Sequence, residues 1–300
     1  MKFLKYIARN IKNFFVLKRH KFIPLRINKH LIIQNGLYKD DFDERDLIKP
    51  KVKLSKDELQ LNITQTSLKA YAPKCSEFNQ ATTSACGGFS AAAFMHILMN
   101  KMQHLSKSSI ESPYFSPLWI YWNARLNDGF GSEKIDEGTT LRSVMKSLKS
   151  PGVIDEKEWK FGWHFPTEEP SKKAKSANKI TLQDYLRIPM KEDSVQLVKD
   201  VLSIEQLPIL IGLTLYREQQ AEAYKTGFLK PVSNKNNVSC IGGHAVCITG
   251  YKEIDGKVWL EFINSWGQDW GDYGYGYFPI EWIYDPFYVI DIWTCSKKYF

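Results

Sequence analysis

The chain has few cysteines and no Cys-x-x-Cys spacing. Its 300 residues include five cysteines, at positions 75, 86, 240, 247 and 295. This pattern excludes a small fold stapled by disulfides, which needs a dense and even-numbered set. It also argues against a cysteine-based metal site, and we expect neither metal nor cofactor. An odd number of cysteines leaves at least one free thiol and favours a reducing compartment.

Acidic residues are missing from positions 1–39, which carry ten Lys or Arg residues. Residues 40–300 carry 31 basic and 33 acidic residues, so the net charge of +8 belongs to this N-terminal arm. Within the arm, Leu4, Ile7, Ile11 and Phe14 recur at helical spacing between basic residues, which predicts a basic amphipathic helix. Because charges interrupt every apolar run, we expect neither a secretory signal nor a transmembrane segment.

Several roles for residues 1–39 remain open. A basic amphipathic helix is suited to an anionic membrane or to nucleic acid. It is equally compatible with organelle targeting, or with an inhibitory or docking pro-segment. The simplest alternative is a helix that packs on the protein body with its basic face in solvent.

Residues 40–300 change character once along their length. The polar cluster Lys39–Asp46 predicts that residues 40–70 form an extended connector or a pro-like segment. Helical periodicity is found near 85–102, 117–126, 141–148 and 193–202, with Thr139 or Thr140 as a cap. The lysine-rich residues 171–178 suggest an exposed loop.

The later part reads as strands, at 208–216, 245–251, 257–264, 275–278 and 288–294, with a turn at Asp255–Gly256. A helical first half and an antiparallel second half predict an α+β protein in two lobes. We therefore expect one domain over 71–300, with a helical lobe at 71–204, a β lobe at 205–300 and a cleft between them.

Cys86 stands where a polar turn becomes an apolar helix, in Asn79-Gln-Ala-Thr-Thr-Ser-Ala-Cys-Gly-Gly88. One interpretation is a small apolar residue that fills the first turn of a buried helix. The other is a nucleophile, because a helix N-terminus lowers the pKa of a thiol. This stretch alone does not decide between them.

Two later stretches give Cys86 chemical partners. They are Gly242-Gly-His-Ala-Val246 and Asn264-Ser-Trp-Gly-Gln-Asp-Trp-Gly-Asp-Tyr-Gly-Tyr275. With Gln80 six residues before Cys86, the order and context resemble the papain-like cysteine peptidases over residues 35–295. The segments Gly138–Trp159 and Tyr38–Asp46 are similar to bacterial and viral branches of that family.

The resemblance implies a papain-like two-lobed fold with its active site in the cleft, and a role for each motif residue. Cys86 is then the nucleophile and His244 the general base and acid, while Asn264 orients the imidazole and Trp266 covers it. The Gln80 amide and the Cys86 N–H stabilise the oxyanion. The substrate is a protein or peptide.

The sequence also departs from the family pattern. Gly87 stands where the family usually has Trp, and Thr83 stands where a family cysteine is common. The second departure predicts that one common family disulfide is absent. A catalytically silent binding or structural protein is therefore the alternative to a peptidase. The same residues would serve an endopeptidase, an aminopeptidase or an acyltransferase. The reducing compartment could be the cytoplasm or the inside of a virus particle.

Overall fold

A computed structural model describes residues 36–58, 63–107, 113–129, 134–162 and 164–298. The amphipathic helix expected in the basic arm lies outside these residues. Within the described ranges, no helix is both long and apolar enough to cross a bilayer. All five cysteines fall inside them, and none forms a disulfide.

The helices lie mostly in the first two thirds of the chain. The described residues include α1 (Cys86–Leu105), α2 (Pro117–Asp128), α3 (Leu141–Lys149), α4 (Lys172–Ser176), α5 (Ser194–Asp200) and α6 (Arg217–Thr226). Helices α1 to α3 pack on one another and form the helical lobe. Three of the four predicted helices match α1, α2 and α3 closely, and the fourth becomes α5 followed by a π-helical turn over Val201–Glu205.

Local signals explain where these helices begin and end. Helix α2 starts at Pro117, where the Ser116 hydroxyl accepts a hydrogen bond from the Trp119 N–H, and ends at Gly129 with φ of 72°. Helix α3 is capped by the Thr140 hydroxyl, which accepts from the Ser143 N–H. Residues 86–99 of helix α1 are all buried and, apart from Ser90 and His96, are small or apolar, whereas its last turn is polar and reaches the surface.

The strands form one sheet. They are β1 (Leu37–Tyr38), β2 (Gln65–Ser67), β3 (Thr139–Thr140), β4 (Tyr185–Arg187), β5 (Ile209–Tyr216), β6 (Cys240–Ile254), β7 (Lys257–Ile263), β8 (Tyr275–Pro279) and β9 (Val289–Cys295). The order along the main path is β3-β1-β6-β5-β9-β4, while β2 and β7 also pair with β6, and β8 pairs with β7. The five predicted strands are confirmed as β5 to β9.

Strand β6 organises the β lobe. It pairs antiparallel with β5 on one side and β7 on the other, so its middle is buried. Strand β5 lies between β6 and β9, which explains its nearly unbroken apolar sequence. The predicted turn joins β6 to β7, where Asp255 and Gly256 both have positive φ, of 50° and 71°.

Three expectations from the sequence were wrong or incomplete. Residues 171–178 are not only a loop, because Ser171 caps the short helix α4. Helix α6 and strand β4 were not predicted. The extended connector predicted at Lys39–Asp46 is anchored in a way that the sequence did not indicate, because the carboxylates of Asp40 and Asp46 are 3% and 6% exposed and pair with Arg142. A charged side chain can be buried when it has such a partner.

Candidate active site

Cys86 occupies the first turn of α1 and is completely buried. The loop before it is held on both sides. Its Gln80 N–H donates to the Ser265 carbonyl at 2.8 Å, and the Ser84 N–H donates to the Asp136 carboxylate at 3.0 Å. The thiol position is therefore fixed by the β7–β8 loop as well as by its own helix.

His244 lies on β6, and its ring is held by two residues that follow β7. Its Nε2 is 2.8 Å from the Oδ1 of Asn264, and its ring stacks on Trp266 at 4.5 Å between centroids. The Ser265 N–H also donates to this same oxygen, at 2.8 Å. The oxygen accepts both bonds, so Nε2 carries the proton of the neutral imidazole and Nδ1 is left with a lone pair.

The Asn264 amide is kept in place at a cost. Its Nδ2 is buried and has no hydrogen-bond partner among the described residues. An unsatisfied buried donor costs about 1–3 kcal/mol. The side chain is therefore oriented by what its oxygen accepts rather than by what its nitrogen donates.

The Gln80 side chain is also fixed at both ends. Its Oε1 accepts from the Ser265 hydroxyl at 2.6 Å, and its Nε2 donates to the Thr83 carbonyl at 2.7 Å. A carboxamide nitrogen has two hydrogens, so this arrangement still leaves one donor. The structure thus gathers Gln80, Asn264, Ser265 and Trp266 around one loop junction.

Burial disfavours the charged form of both the thiol and the imidazole. Burial raises the pKa of Cys86 to about 12, although the N–H groups of Ala245 and Gly87 favour the thiolate. Burial lowers the pKa of His244 to about 4, against the Asn264 hydrogen bond that raises it. The contact with Ala245, which follows His244, places the sulfur beside β6. Both shifts disfavour a thiolate–imidazolium pair, so burial at this position opposes activation of the thiol.

Burial of the thiol comes partly from residues 36–49, which we call the strap. A Cβ built on Gly36 would lie 2.7 Å from the Cys86 sulfur and 2.5 Å from the Ser84 carbonyl oxygen. No side chain larger than hydrogen fits there without a shift. The backbone of Gly36 therefore passes directly against the candidate nucleophile.

The next strap residue, Leu37, joins the two lobes. It pairs in parallel with Thr139 of β3 and antiparallel with Gly243 of β6. Its side chain is buried, and its Cδ2 would lie 2.5 Å from a Cβ built on Gly212. The side chains of Leu141 and Ile290 border the same point, so Leu37 fills an apolar pocket.

The buried Arg142 and the partly buried Arg187 fasten the rest of the strap. The Arg142 backbone N–H donates to Asp40 at 2.9 Å, and its guanidinium donates to both oxygens of Asp46, at 2.9 and 2.7 Å. Arg187 bridges Asp46 at 3.2 Å and Asp291 at 2.9 Å. The Arg142–Asp46 pair is bidentate, and bidentate pairs are stronger and more specific in geometry than single charged hydrogen bonds. The sequence suggested a pro-like segment here but not these contacts, because Arg142 lies about 100 positions from its carboxylate partners.

A family model described as papain family cysteine protease matches residues 130–281. This match includes His244 and Asn264 but begins after Cys86. An uncharacterized peptidase C1-like protein of Acanthamoeba polyphaga mimivirus is 30% identical over 231 residues, or 74% of this chain and 70% of that protein. Cysteine proteinase 2 of Entamoeba histolytica is 35% identical over 101 residues, which are 34% of this chain and 30% of that protein.

Solved structures show the same fold. Xylellain, a cysteine protease from Xylella fastidiosa, superimposes with a TM-score of 0.72 at 24% identity and covers 91% of this chain and 99% of its own. Digestive procathepsin L 3 of Tenebrio molitor gives a TM-score of 0.62 at 15% identity, over 88% of this chain and 77% of its own. The predicted α+β, papain-like, two-lobed fold is thereby confirmed. The family match and the mimivirus relative establish that the chain belongs to the papain family of cysteine proteases and is a cysteine peptidase.

Proposed function

We propose that the peptidase hydrolyses peptide bonds through a thioester on Cys86. The observation that carries this proposal is the His244–Asn264 hydrogen bond of 2.8 Å, because it fixes the tautomer with a free Nδ1 lone pair on the strand beside the thiol. In the reaction, Nδ1 accepts the thiol proton as sulfur bonds to the substrate carbonyl carbon. The imidazolium then protonates the leaving amine as the C–N bond breaks, and water hydrolyses the thioester.

The negative oxygen formed by that attack needs donors placed in advance. The free N–H of the Gln80 amide and the Cys86 backbone N–H supply them in this proposal, since both belong to the loop that leads into α1. Asn264 acts as a positioning residue, and Trp266 shields its hydrogen bond to His244. In this proposal the site lies between a helical lobe at 71–204 and a β lobe at 205–300.

The Gln80 role predicts a large loss of turnover. Removing one oxyanion donor lowers kcat about 10²- to 10³-fold. We expect Gln80→Glu to lower kcat by at least this factor, because the side chain keeps an acceptor for Ser265 but places an anion near the developing charge. The measurement is the kcat and KM of a strap-opened enzyme, described below, on a quenched peptide.

Gln103→Glu is the matched control, since this residue is on the distant end of α1. A Gln80→Glu variant that keeps kcat within about threefold of its parent contradicts the oxyanion assignment. An equal loss of kcat in both variants would indicate a defect in folding and not in oxyanion stabilisation.

We further propose that the strap inhibits the enzyme. Gly36 covers the thiol, Leu37 fills a pocket of the cleft and the Asp40–Arg142 and Asp46–Arg142 pairs fasten the segment to α3. Burial of the thiol supports this, because burial raises the pKa of Cys86 and leaves less of the nucleophilic thiolate at neutral pH. The same buried pair is what a catalytically silent protein would show, so opening the strap decides between the two functions.

The strap carries a pH signature in which two groups oppose each other. Burial raises the pKa of Asp40 from 3.8 to about 7, and the neighbouring Asp291 adds to this increase. Hydrogen bonds from Arg142 and Thr140 act in the opposite direction and lower the pKa. Docking therefore takes up a proton at Asp40 and weakens as pH rises from about 4 to 7. In this proposal the strap contributes to the burial that lowers the pKa of His244 to about 4, so protonation of the imidazole below pH 6.5 opposes docking.

We expect the two effects to offset each other in the wild type between about pH 4 and 7. Asp40→Asn removes the first effect, so its strap should open as pH falls below 6.5, by up to about tenfold per pH unit. Hydrogen exchange of residues 36–49 measures this opening after correction for intrinsic exchange. Asp41→Asn, at an exposed neighbour, is the control. Parallel pH profiles for wild type and Asp40→Asn would show that Asp40 does not titrate with docking.

The arm and the compartment give two smaller proposals. Ten basic residues without an acidic one in 1–39 support binding to an anionic membrane surface. We expect the full-length protein to sediment with phosphatidylserine vesicles but not with phosphatidylcholine vesicles. Sedimentation with neither kind of vesicle would show that the arm has no such role. Release of the protein from the vesicles by competitor DNA would favour nucleic acid as the partner. The five free thiols support a reducing compartment.

A further inference from the structure

A largely buried set of hydrogen bonds joins three segments of the helical lobe next to Cys86. The Tyr121 hydroxyl donates to the Asp136 carboxylate at 3.0 Å and accepts from the Gly138 N–H at 2.8 Å. The same carboxylate oxygen accepts from the Ser84 N–H at 3.0 Å, and the Ser84 hydroxyl donates to the Asp136 carbonyl at 3.0 Å. We call these four residues the Tyr121–Asp136 bridge.

The bridge connects the loop of the candidate nucleophile to the edge of the sheet. Ser84 stands two residues before Cys86, in the loop that also supplies Gln80. Gly138 directly precedes β3, the outermost strand of the main path, which pairs with the strap. Tyr121 comes from the middle of α2. The bridge therefore fixes the nucleophile loop relative to β3.

A pair of glycines brings α2 and β3 close enough for this bridge. A Cβ built on Gly88 would lie 2.2 Å from the Pro117 carbonyl oxygen and 2.9 Å from the Tyr121 Cβ, which is too close for any side chain without a shift. A Cβ on Gly87, the residue that departs from the family pattern, would lie 3.0 Å from the Cγ2 of Thr139. Both helix α2 and strand β3 thus pack directly on the first turn of α1.

Burial makes the bridge costly to break. Tyr121 and Ser84 are buried, and the Arg125 guanidinium lies 4.0 Å from the centroid of the Tyr121 ring. Removal of the phenol hydroxyl leaves the buried Gly138 N–H without this acceptor, and an unsatisfied buried donor costs about 1–3 kcal/mol. None of the five cysteines forms a disulfide, so the loop is fastened by hydrogen bonds.

The charge of Asp136 indicates what the bridge contributes. After burial, which has the largest effect, the Asp136 carboxylate also raises the pKa of the Cys86 thiol. A carboxylate at this place therefore opposes formation of the thiolate. It also makes charge-assisted hydrogen bonds, which are roughly twice as strong as neutral ones. The contribution of Asp136 to a reactive Cys86 is therefore geometric and not electrostatic.

Other ionisable groups surround the thiol and this carboxylate. They are His244 of β6, Tyr38 of the strap, Tyr121, Arg125 and Asp128 of α2, and Glu137 beside β3. The substitutions proposed below at Asp136 and Tyr121 leave all the remaining groups in place.

We propose that Asp136 and Tyr121 are positioning residues of the peptidase reaction, which hold the nucleophile loop in register with β3. Neither residue touches the reacting atoms. Asp136 fixes the Ser84 N–H, and Tyr121 ties that point to Gly138. This inference rests on the proposed function, because it needs Cys86 to be the nucleophile.

The parent enzyme for the test is the full-length protein with the strap-opening substitution Leu37→Asp. Its substrate is an internally quenched peptide with Leu immediately before the residue that is attacked. We expect Asp136→Ala to lower kcat about 100-fold, the effect of a displacement of about 1 Å at the reacting atoms. Asp136→Asn should restore kcat to within about tenfold of the parent, because its amide oxygen still accepts both hydrogen bonds. KM should change less than about threefold in both variants, since the nucleophile is displaced and the peptide contacts remain.

The pH dependence of Cys86 alkylation separates positioning from a purely structural role. Asp136→Asn removes the anion that raises the pKa of the thiol, so the midpoint of the alkylation profile should move to lower pH, by about half a unit. Tyr121→Phe keeps the anion and removes one hydrogen bond of the bridge. It should lower kcat about tenfold and leave the midpoint unchanged.

Tyr114→Phe is the matched control, because the Tyr114 hydroxyl also accepts a backbone N–H, that of Lys74 at 3.2 Å, but lies outside the bridge. Its kcat should stay within about twofold of the parent. The same small change in Tyr121→Phe, or an unchanged alkylation midpoint in Asp136→Asn, overturns the bridge proposal whether or not Asp136→Ala folds, and leaves the catalytic proposal intact. If the parent neither cleaves the peptide nor is labelled at Cys86, the proposed function itself fails, and the bridge proposal falls with it.

Discussion

Cys86→Ala in the strap-opened enzyme is expected to lower peptide hydrolysis at least about 10⁴-fold. Covalent catalysis has no substitute for its nucleophile, and residues that act as one unit give losses of this size or larger when a single member is removed. His244→Ala should give a loss of the same order, because the thiol then has no base. The double variant should lose no more than either single one, since the two groups perform one step.

Cys240→Ser is the matched control. Cys240 is an exposed thiol at the start of β6, four residues before His244, so it shares the strand but not the site. Its substitution should leave kcat/KM within about twofold. If Cys86→Ala retained activity, or if Cys240→Ser abolished it, the nucleophile would have been assigned to the wrong residue. The measurement is kcat/KM on the quenched peptide with Leu before the attacked residue.

Leu37→Asp is expected to activate the full-length protein about 100-fold. Leu37 is buried in its pocket, and a buried unpaired carboxylate costs about 3–5 kcal/mol. This cost falls only on the docked strap, because the released strap exposes residue 37 to water. A change of about 3 kcal/mol raises the open fraction by roughly 100-fold until the enzyme is fully open.

Leu47→Asp separates release of the strap from a general effect of added charge. Leu47 belongs to the same segment, but its side chain is 57% exposed, so the same substitution should change activity less than about twofold. Thermal unfolding of both variants checks that the core remains folded. Activity that is high in the wild type and unchanged by Leu37→Asp would show that the strap does not inhibit.

The sequence predicted the elements whose signals are local. Helix α2 has a serine cap, a first-turn proline and a terminal glycine, and each of these acts within four residues. Strand β5 was predicted because it is buried between β6 and β9 and its sequence is almost entirely apolar. Helix α6 was missed because its sequence is polar, and only Ala223 and Gln219 of it are buried. A short polar helix differs little from a loop in composition.

The candidate site was predicted in part. Asn264 and Trp266, which the motifs indicated, contact His244, and Gln80 is joined to the same loop through Ser265. The state of the site was not predictable, because the pKa of a thiol depends on what covers it. Gly36 covers Cys86 from 50 residues earlier in the chain, and no local pattern reports that contact.

The central claim is that the strap covers a reactive Cys86–His244 pair. The rate of Cys86 alkylation at pH 7 tests this claim most directly. The probe is an epoxysuccinyl reagent, and mass spectrometry identifies the labelled cysteine. We predict slow labelling of Cys86 in the wild type, labelling about 100-fold faster in Leu37→Asp, and loss of that gain when His244→Ala is added. Equal and slow labelling of Cys86 in all three proteins, with the strap of Leu37→Asp shown to be released by hydrogen exchange, would contradict the account.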